Sequence, residues 1–150
     1  GFSDGAQRGE YERQLVKLNL RNRVHLTGLV PPQEIPALLT GFDLLVHASR
    51  WEGLPRSIVQ AALTEVPAVS FDNDGGPEAI DDGASGYVVE LGDHAALAER
   101  VGRLIEDAVL RRQMGAAARH KCLPMFDHRK MVDEIDALYR RLQRAAPSQP

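Results

Sequence analysis

Residues 49–57 contain the residue types of a ligand-binding loop. They read Ser-Arg-Trp-Glu-Gly-Leu-Pro-Arg-Ser, and the apolar pattern after them predicts a helix over residues 58–63. A turn that leads into a helix presents free backbone N–H groups and the positive end of the helix dipole, which suit phosphate or hydroxyl oxygens. Glu52 lies in this turn, and a carboxylate accepts paired hydrogen bonds from vicinal hydroxyls. These residues favour a sugar as the ligand.

A second segment, 72–78, reads Asp-Asn-Asp-Gly-Gly-Pro-Glu. Gly75 and Gly76 permit a close approach of the backbone to a ligand, and Pro77 is compatible with the first turn of a helix. Glu78 adds a further carboxylate. Glycine turns of this kind occur in every α/β protein, so each segment alone is a weak signal and the two together are more specific.

Both segments follow apolar runs that we predict to be β-strands. The runs lack polar alternation, which is typical of strands buried on both faces of a parallel sheet, and helical segments separate them. The chain is therefore predicted to be α/β, with a Rossmann-like parallel sheet flanked by helices. Such sheets bind ligands at the carboxyl ends of their strands, so the loops after Val30, Ser49 and Phe71 are candidate sites. The predicted strands are 24–27, 43–46, 68–71 and 87–89.

Helix signals occupy much of the rest of the chain. The pattern predicts an amphipathic helix that ends near Leu20, and a second helix from the Pro31-Pro32 pair to Thr40, with Gly41 as its C-cap. Three further helices are predicted to begin at the N-caps Asp93, Asp107 and Asp127.

The domain organisation predicted from these elements is simple. We expect one partial domain over residues 1–144 and a flexible tail over residues 145–150. A parallel α/β sheet normally begins with a strand, whereas residues 1–5 have the composition of a loop. We therefore expect the first βαβ portion of the sheet to be missing upstream.

Composition limits the class of protein. The 150 residues are 43% hydrophobic and 26% charged, which is typical of one folded globular domain. A formal net charge of -3 disfavours nucleic acid as a partner. The single cysteine, Cys122, allows no internal disulfide, and no apolar run approaches the roughly 20 residues that cross a bilayer. We expect a cytoplasmic protein.

A series of short motifs runs through nearly the whole chain: 24–28 (Val-His-Leu-Thr-Gly), 42–46 (Phe-Asp-Leu-Leu-Val), Ser49 with 52–55 (Glu-Gly-Leu-Pro), 75–78 (Gly-Gly-Pro-Glu), 82–83 (Asp-Gly), 86–89 (Gly-Tyr-Val-Val), 92–93 (Gly-Asp) and 126–128 (Phe-Asp-His). Their order and spacing resemble family 4 glycosyltransferases, which have the two-domain GT-B fold. The resemblance implies that this chain is the C-terminal, donor-binding domain of such an enzyme, truncated on its N-terminal side.

The resemblance implies roles for two positions separated by seven residues. Glu52 matches a glutamate that contacts hydroxyls of the transferred sugar, and it is the catalytic candidate. Gln60 stands where relatives usually carry a glutamate that holds the ribose. Glutamine keeps a carbonyl oxygen but lacks the charge, which weakens the contact. The backbone near Val30 is expected to hold the nucleoside.

The other donor-binding residues surround the phosphates and the sugar. The Glu-Gly-Leu-Pro sequence departs from the commoner Glu-Gly-Phe-Gly, but backbone N–H groups near Arg56 and Ser57 remain available to the donor, and the Arg56 side chain is a candidate contact for a phosphate. Relatives supply an arginine and a lysine for the diphosphate from the region upstream of Gly1. The donor-binding set is Val30, Gly53, Leu54, Pro55, Arg56, Gln60, Gly75, Gly76 and Glu78.

No metal and no cofactor are predicted. Residues 72–74 (Asp-Asn-Asp) resemble the Asp-x-Asp metal motif of GT-A enzymes, whose hard oxygen ligands suit divalent cations. Their position corresponds to an ordinary loop in GT-B relatives, which use no essential metal.

We also predict a role for Trp51 and a backbone conformation for Glu65. Trp51 either stacks on a ligand ring or supports the loop as a wedge. Glu65 replaces the glycine that ends the preceding helix in relatives, and a left-handed glutamate there costs roughly 1 kcal/mol.

The activity that the resemblance implies is a retaining, metal-independent transfer of a sugar from a UDP or GDP sugar to a hydroxyl acceptor, as in polysaccharide biosynthesis. The acceptor is a glycan or a lipid-linked molecule bound by the missing N-terminal domain, so the isolated chain is expected to be inactive, and the full-length enzyme could be peripheral to the inner membrane. Two alternatives stay open: a nucleotide-sugar epimerase, and a non-catalytic domain that binds sugar nucleotides or another protein.

Overall fold

The computed structural model describes residues 5–51, 53–73 and 75–145. Contacts divide the chain into two compact units, Gly1–Ile35 and Pro36–Pro150. The predicted tail beyond residue 145, the catalytic candidate Glu52 and the central Asp74 of the second segment lie outside the described residues.

The first unit consists of one helix and an extended segment. Helix α1 spans Gly5–Lys17, and a turn with left-handed Asn19 (φ 55°) follows it. The predicted strand over residues 24–27 is wrong, because these residues make no ladder hydrogen bonds within the described part of the chain. A β-rich sequence forms a strand only where another strand supplies its backbone partners.

The helix predicted from the proline pair begins at the end of this unit. Pro32–Glu34 form a 3-10 turn with proline in its first position, and helix α2 continues over Ile35–Leu39. The helix is shorter than predicted and ends in turn hydrogen bonds, such as Gly41 N–H to the Leu38 carbonyl at 3.2 Å.

A three-stranded parallel sheet lies at the centre of the second unit. The strands are β1 (Leu45–His47), β2 (Ala68–Phe71) and β3 (Gly86–Val89), in the order β1-β2-β3. The prediction for β2 is confirmed, β3 begins one residue earlier than predicted, and β1 is displaced from the predicted 43–46. All residues of β2 are buried, as expected for a central strand covered on both faces.

Five helices of the second unit follow these strands, and the three longest begin where predicted. Asp93 Oδ1 accepts from the Ala96 N–H at 2.9 Å, and Asp107 Oδ1 accepts from the Leu110 N–H at 2.9 Å. Asp127 caps the last helix in the same way. The helices are α3 (Arg56–Leu63), α4 (Gly76–Ala79), α5 (His94–Glu106), α6 (Ala108–Met125) and α7 (His128–Ala145).

Alternate residues of β2 face two apolar layers. Ala68 packs with Ile58 and other side chains of α3, α4 and α6, whereas Val69 and Phe71 pack with Leu104 and other side chains of α5, α6 and β3. This alternation follows from the two-residue period of a strand. The α/β prediction, with a Rossmann-like parallel sheet flanked by helices, is therefore confirmed.

The turn after α3 adopts the strained conformation expected from the sequence. Glu65 has φ 61°, the left-handed region that favours glycine. Gly115 of α6 lies directly against it, since a Cβ built on Gly115 would lie 2.8 Å from the Glu65 carbonyl carbon. The helix therefore packs against this turn without a side chain between them.

No helix within the described residues is long and apolar enough to span a bilayer.

Candidate functional site

The described site residues of the second unit lie in two loops at one edge of the sheet or on the helices α3 and α4 that follow these loops. The residues between β1 and α3 (48–55) form the first loop, and those between β2 and α4 (72–75) form the second loop. Because β1 and β2 pair in parallel, both loops leave the sheet at the carboxyl ends of the strands, where open α/β sheets bind ligands.

Two hydrogen bonds connect the loops. The Gly75 N–H donates to the Gly53 carbonyl at 2.8 Å, and the Asn73 side-chain amide donates to the Ser49 carbonyl at 2.6 Å. Asn73 is only 7% exposed, so the second bond is shielded from water. The loops therefore form one connected wall of the site.

Position 75 requires glycine for a structural reason that the sequence did not reveal. A Cβ at this position would lie 2.7 Å from the Gly53 carbonyl oxygen and 2.9 Å from the Leu54 Cα, too close for any side chain. The close backbone approach predicted for this glycine is thus made to the neighbouring loop. A Cβ on Gly53, by contrast, meets no described atom within 4 Å, and this glycine faces open space.

The start of α3 presents backbone donors that have no acceptor within the helix. Pro55 is the N-cap and provides no capping side chain, and the Ile58 N–H donates to its carbonyl at 3.0 Å. The N–H groups of Arg56 and Ser57 precede that bond and, like those of any first helical turn, have no intrahelical acceptor. The helix dipole adds positive potential at the same point.

The two polar candidates on α3 share one face of the helix. Arg56 is exposed and Gln60, one turn further on, is half-buried. The opposite face is buried in the core through Ile58, Val59, Ala61 and Ala62. Both polar groups are therefore held outside the core by the packing of the helix.

His47 connects the end of β1 to the first turn of α3. Its Nδ1 lies 3.3 Å from the Ser57 Oγ in a partly buried hydrogen bond. This contact helps to fix the direction in which the helix leaves the first loop.

The other predicted residues have less distinctive surroundings. Leu54 is 39% exposed, Pro55 is buried, and Glu78 is exposed in the first turn of α4. Gly76 is buried, and a Cβ there would meet the Phe71 carbonyl at 3.4 Å. Val30 is half-buried in the first unit.

Sequence reasoning missed the residues that connect the loops. The sequence suggests Asn73 only as part of a metal motif. In the structure it is buried and bonded to the backbone of the first loop, while Asp72 beside it is exposed. The one signal that could have identified it is a side-chain amide two residues after a fully buried strand. In the part of the chain that the structure describes, no three His, Cys, Asp or Glu side chains are placed to bind a metal ion.

The sheet, its helical layers and its joined loops define a Rossmann-like α/β domain of the kind that forms the C-terminal half of GT-B glycosyltransferases. The sequence matches the model of the family described as "Glycosyl transferases group 1" over residues 1–121. The chain belongs to this family.

Individual relatives agree with this assignment. The α-D-kanosaminyltransferase of Streptomyces kanamyceticus is 30% identical over 139 residues, which cover 93% of this chain and 36% of the relative. The crystal structure of Anabaena HepE in complex with UDP has 27% identity and a TM-score of 0.86, over 94% of this chain and 38% of that one.

A solved C-terminal domain shows the same fold. The C-terminal domain of the group 1 glycosyl transferase LpcC from Francisella tularensis has 23% identity and a TM-score of 0.75, over 85% of this chain and 66% of that chain. The chain spans about a third of the length of the curated relatives that it matches.

Proposed function

We propose that this chain is the donor-binding part of a retaining glycosyltransferase that transfers a sugar, of the hexosyl type, from a nucleoside diphosphate sugar to a hydroxyl acceptor. The observation that carries the proposal is the pair of connected loops at the carboxyl ends of β1 and β2, next to the start of α3, where Pro55 provides no capping side chain. The UDP complex of HepE, which is similar over 94% of the chain, supports a uridine nucleotide as the first ligand to test, with GDP sugars second.

The diphosphate is assigned to the start of α3. Backbone N–H groups of Arg56 and Ser57 supply preorganised donors, and the exposed Arg56 guanidinium supplies a positive charge. Donors already aimed at the leaving diphosphate stabilise the negative charge that develops on it without further reorganisation. The transfer then needs no metal ion.

The transferred sugar is assigned to a carboxylate and the ribose to a carboxamide. Glu52 positions the hydroxyls of the transferred sugar, and Gln60 accepts a hydrogen bond from the ribose. Gly75, Gly76 and Glu78 shape the side of the pocket formed by the second loop.

A partner half of the enzyme, which binds a glycan or lipid-linked acceptor, is part of the proposal. Helix α7 carries apolar side chains at helical spacing that are each 42–63% exposed. An uncovered apolar stripe of this kind marks a contact surface for protein. These residues are Met131, Val132, Ile135, Leu138, Tyr139 and Leu142.

The need for a partner half has consequences for activity. Closing a cleft between two halves excludes water from the reacting groups, so we expect the chain alone to bind donor without transferring sugar. In the complete enzyme, which we assign to the cytoplasm, the anomeric configuration of the product, read by NMR, tests retention directly.

The donor assignment is tested by isothermal titration calorimetry of the chain with UDP, UDP-glucose and GDP-mannose. We expect saturable binding of UDP and UDP-glucose at one site. Gln60→Ala removes one hydrogen bond to the ribose and should weaken UDP binding about 3- to 10-fold. Glu52→Ala should weaken UDP-glucose but leave UDP unchanged.

Gln113→Ala is the matched control, because Gln113 is an exposed glutamine on α6, away from both loops. It should bind UDP like the unaltered chain. The donor assignment is wrong if no nucleotide or nucleotide sugar binds, or if Gln60→Ala and Gln113→Ala bind UDP equally well.

A further inference from the structure

Trp51 is the most exposed large apolar side chain among the described residues of the first loop. It is 85% exposed, whereas Leu54 in the same loop is 39% exposed and Pro55 is buried. An indole ring that supported the loop as a wedge would be covered by it. The structure therefore disfavours the wedge alternative and leaves the ring available for a ligand.

The backbone on both sides of Trp51 is anchored. The Ser49 hydroxyl donates to the Trp51 carbonyl at 3.3 Å, and the Ser49 carbonyl accepts from the buried amide of Asn73 at 2.6 Å. On the other side, the Gly53 carbonyl accepts from the Gly75 N–H at 2.8 Å. A ring presented from an anchored backbone loses less conformational entropy when a ligand binds.

The indole ring matches the chemistry of a pyranose. A pyranose has a face of C–H groups, which packs on a flat aromatic surface, and a rim of hydroxyls, which remain hydrated or bond to polar groups nearby. A diphosphate has no such face. A uracil base could also stack, but Trp51 directly precedes Glu52, the proposed contact of the sugar, whereas the proposed ribose contact Gln60 lies within α3.

We propose that Trp51 is a stacking residue for a pyranose ring at the sugar end of the donor site, and thereby a determinant of sugar specificity. This inference rests on the proposed donor-binding function. The pyranose is either the transferred sugar of the donor or a ring of the acceptor glycan, and both present the same C–H face to the indole.

Trp51 is the only tryptophan of the chain, so tryptophan emission reports on this position alone. The chain is titrated with UDP, UDP-glucose and maltotetraose, and the emission spectrum and the heat of binding are recorded in parallel. A pyranose that covers the ring should shift the emission maximum to shorter wavelength, because the indole loses contact with water. UDP should leave the maximum unchanged. A shift with UDP-glucose identifies the donor sugar, and a shift with maltotetraose identifies an acceptor glycan.

Substitutions separate stacking from indirect effects. Trp51→Ala should weaken the binding of the effective pyranose ligand about 5-fold or more and leave UDP binding unchanged, while Trp51→Phe should keep part of the affinity. Leu91→Ala is the control, because Leu91 is also an exposed apolar residue (47%) after a strand of the sheet. It should not change the affinity.

The outcomes distinguish this inference from the donor assignment. If UDP binds but neither sugar ligand shifts the emission, or if Trp51→Ala binds the sugar ligand that shifts the emission as tightly as the unaltered chain does, stacking is refuted and the donor assignment stands. If a sugar ligand shifts the emission while UDP does not bind, the stacking role stands and the donor assignment fails. If no ligand binds, both are refuted.

Discussion

Replacement of Gly75 by alanine tests the connection between the two loops. The added Cβ would lie 2.7 Å from the Gly53 carbonyl oxygen and 2.9 Å from the Leu54 Cα. Ordinary contacts begin near 3.4 Å, so the loops must separate by about 0.5–0.7 Å. A movement of that size lengthens the hydrogen bond from the Gly75 N–H to the Gly53 carbonyl from 2.8 Å to about 3.3–3.5 Å, beyond the ordinary range.

The magnitude follows from these two effects. Overpacking against backbone atoms costs about 1–3 kcal/mol, and a lost hydrogen bond costs about 0.5–1.5 kcal/mol. We expect Gly75→Ala to lower the free energy of unfolding by about 2–4 kcal/mol. With a urea dependence of about 2 kcal/mol/M, the unfolding midpoint should fall by roughly 1–2 M.

The assay is urea unfolding followed by circular dichroism at 222 nm, with Gly53→Ala as the matched control. A Cβ on Gly53 meets no described atom within 4 Å, so this variant should unfold near the midpoint of the unaltered chain. Equal midpoints for both variants would refute the role assigned to the Gly75 approach. A large loss for Gly53→Ala alone would refute it as well.

Four further predictions concern the supporting structure. Gly115→Ala should destabilise the fold by about 1–3 kcal/mol in urea unfolding, because the added Cβ would lie 2.8 Å from the Glu65 carbonyl carbon. Gly102→Ala on α5 is the control, and it should stabilise the fold by up to about 1 kcal/mol because its Cβ meets open space. Equal effects of the two substitutions would contradict the packing described for α6. Glu65→Gly should raise the melting temperature, because glycine adopts the left-handed backbone at φ 61° without strain. Glu65→Ala removes the same carboxylate but keeps a Cβ, so it should not raise the melting temperature. A higher melting temperature for both variants would show that the charge of Glu65 is the cause instead. Asp107→Ala should cost about 1 kcal/mol of unfolding free energy through the lost cap of α6, and Asp107→Asn, which can still accept these hydrogen bonds, should cost much less. Burial raises the pKa of the Cys122 thiol above its ordinary 9.0, so the folded state favours the neutral thiol. The stability that this preference contributes should be lost as the pH rises above 9.0. Urea unfolding between pH 7 and 10 should therefore show a steeper decline of the unfolding free energy for the unaltered chain than for Cys122→Ala.

Much of the fold could be predicted because its signals are local. The buried run of β2 and the capping aspartates depend on residues within a few positions of each other. The left-handed conformation of Glu65 was expected from the resemblance, because relatives carry a glycine at this position. The strand over residues 24–27 could not be judged in this way, because a strand exists only if another segment pairs with it. The displacement of β1 has the same origin, since its bounds are set by pairing with β2.

The same distinction between local signals and long-range contacts applies to the candidate site. The sequence by itself indicated which loops follow the strands and which of their residues could bind a sugar nucleotide, because strand ends, glycines and carboxylates are visible in the order of residues. Only the tertiary structure decided that Asn73 bonds to the Ser49 backbone and that Gly75 lies against Gly53. It also decided that the Trp51 ring is exposed. These contacts join residues more than 20 positions apart or depend on what covers a side chain, and no local pattern records which distant atoms the folded chain brings within a few ångströms.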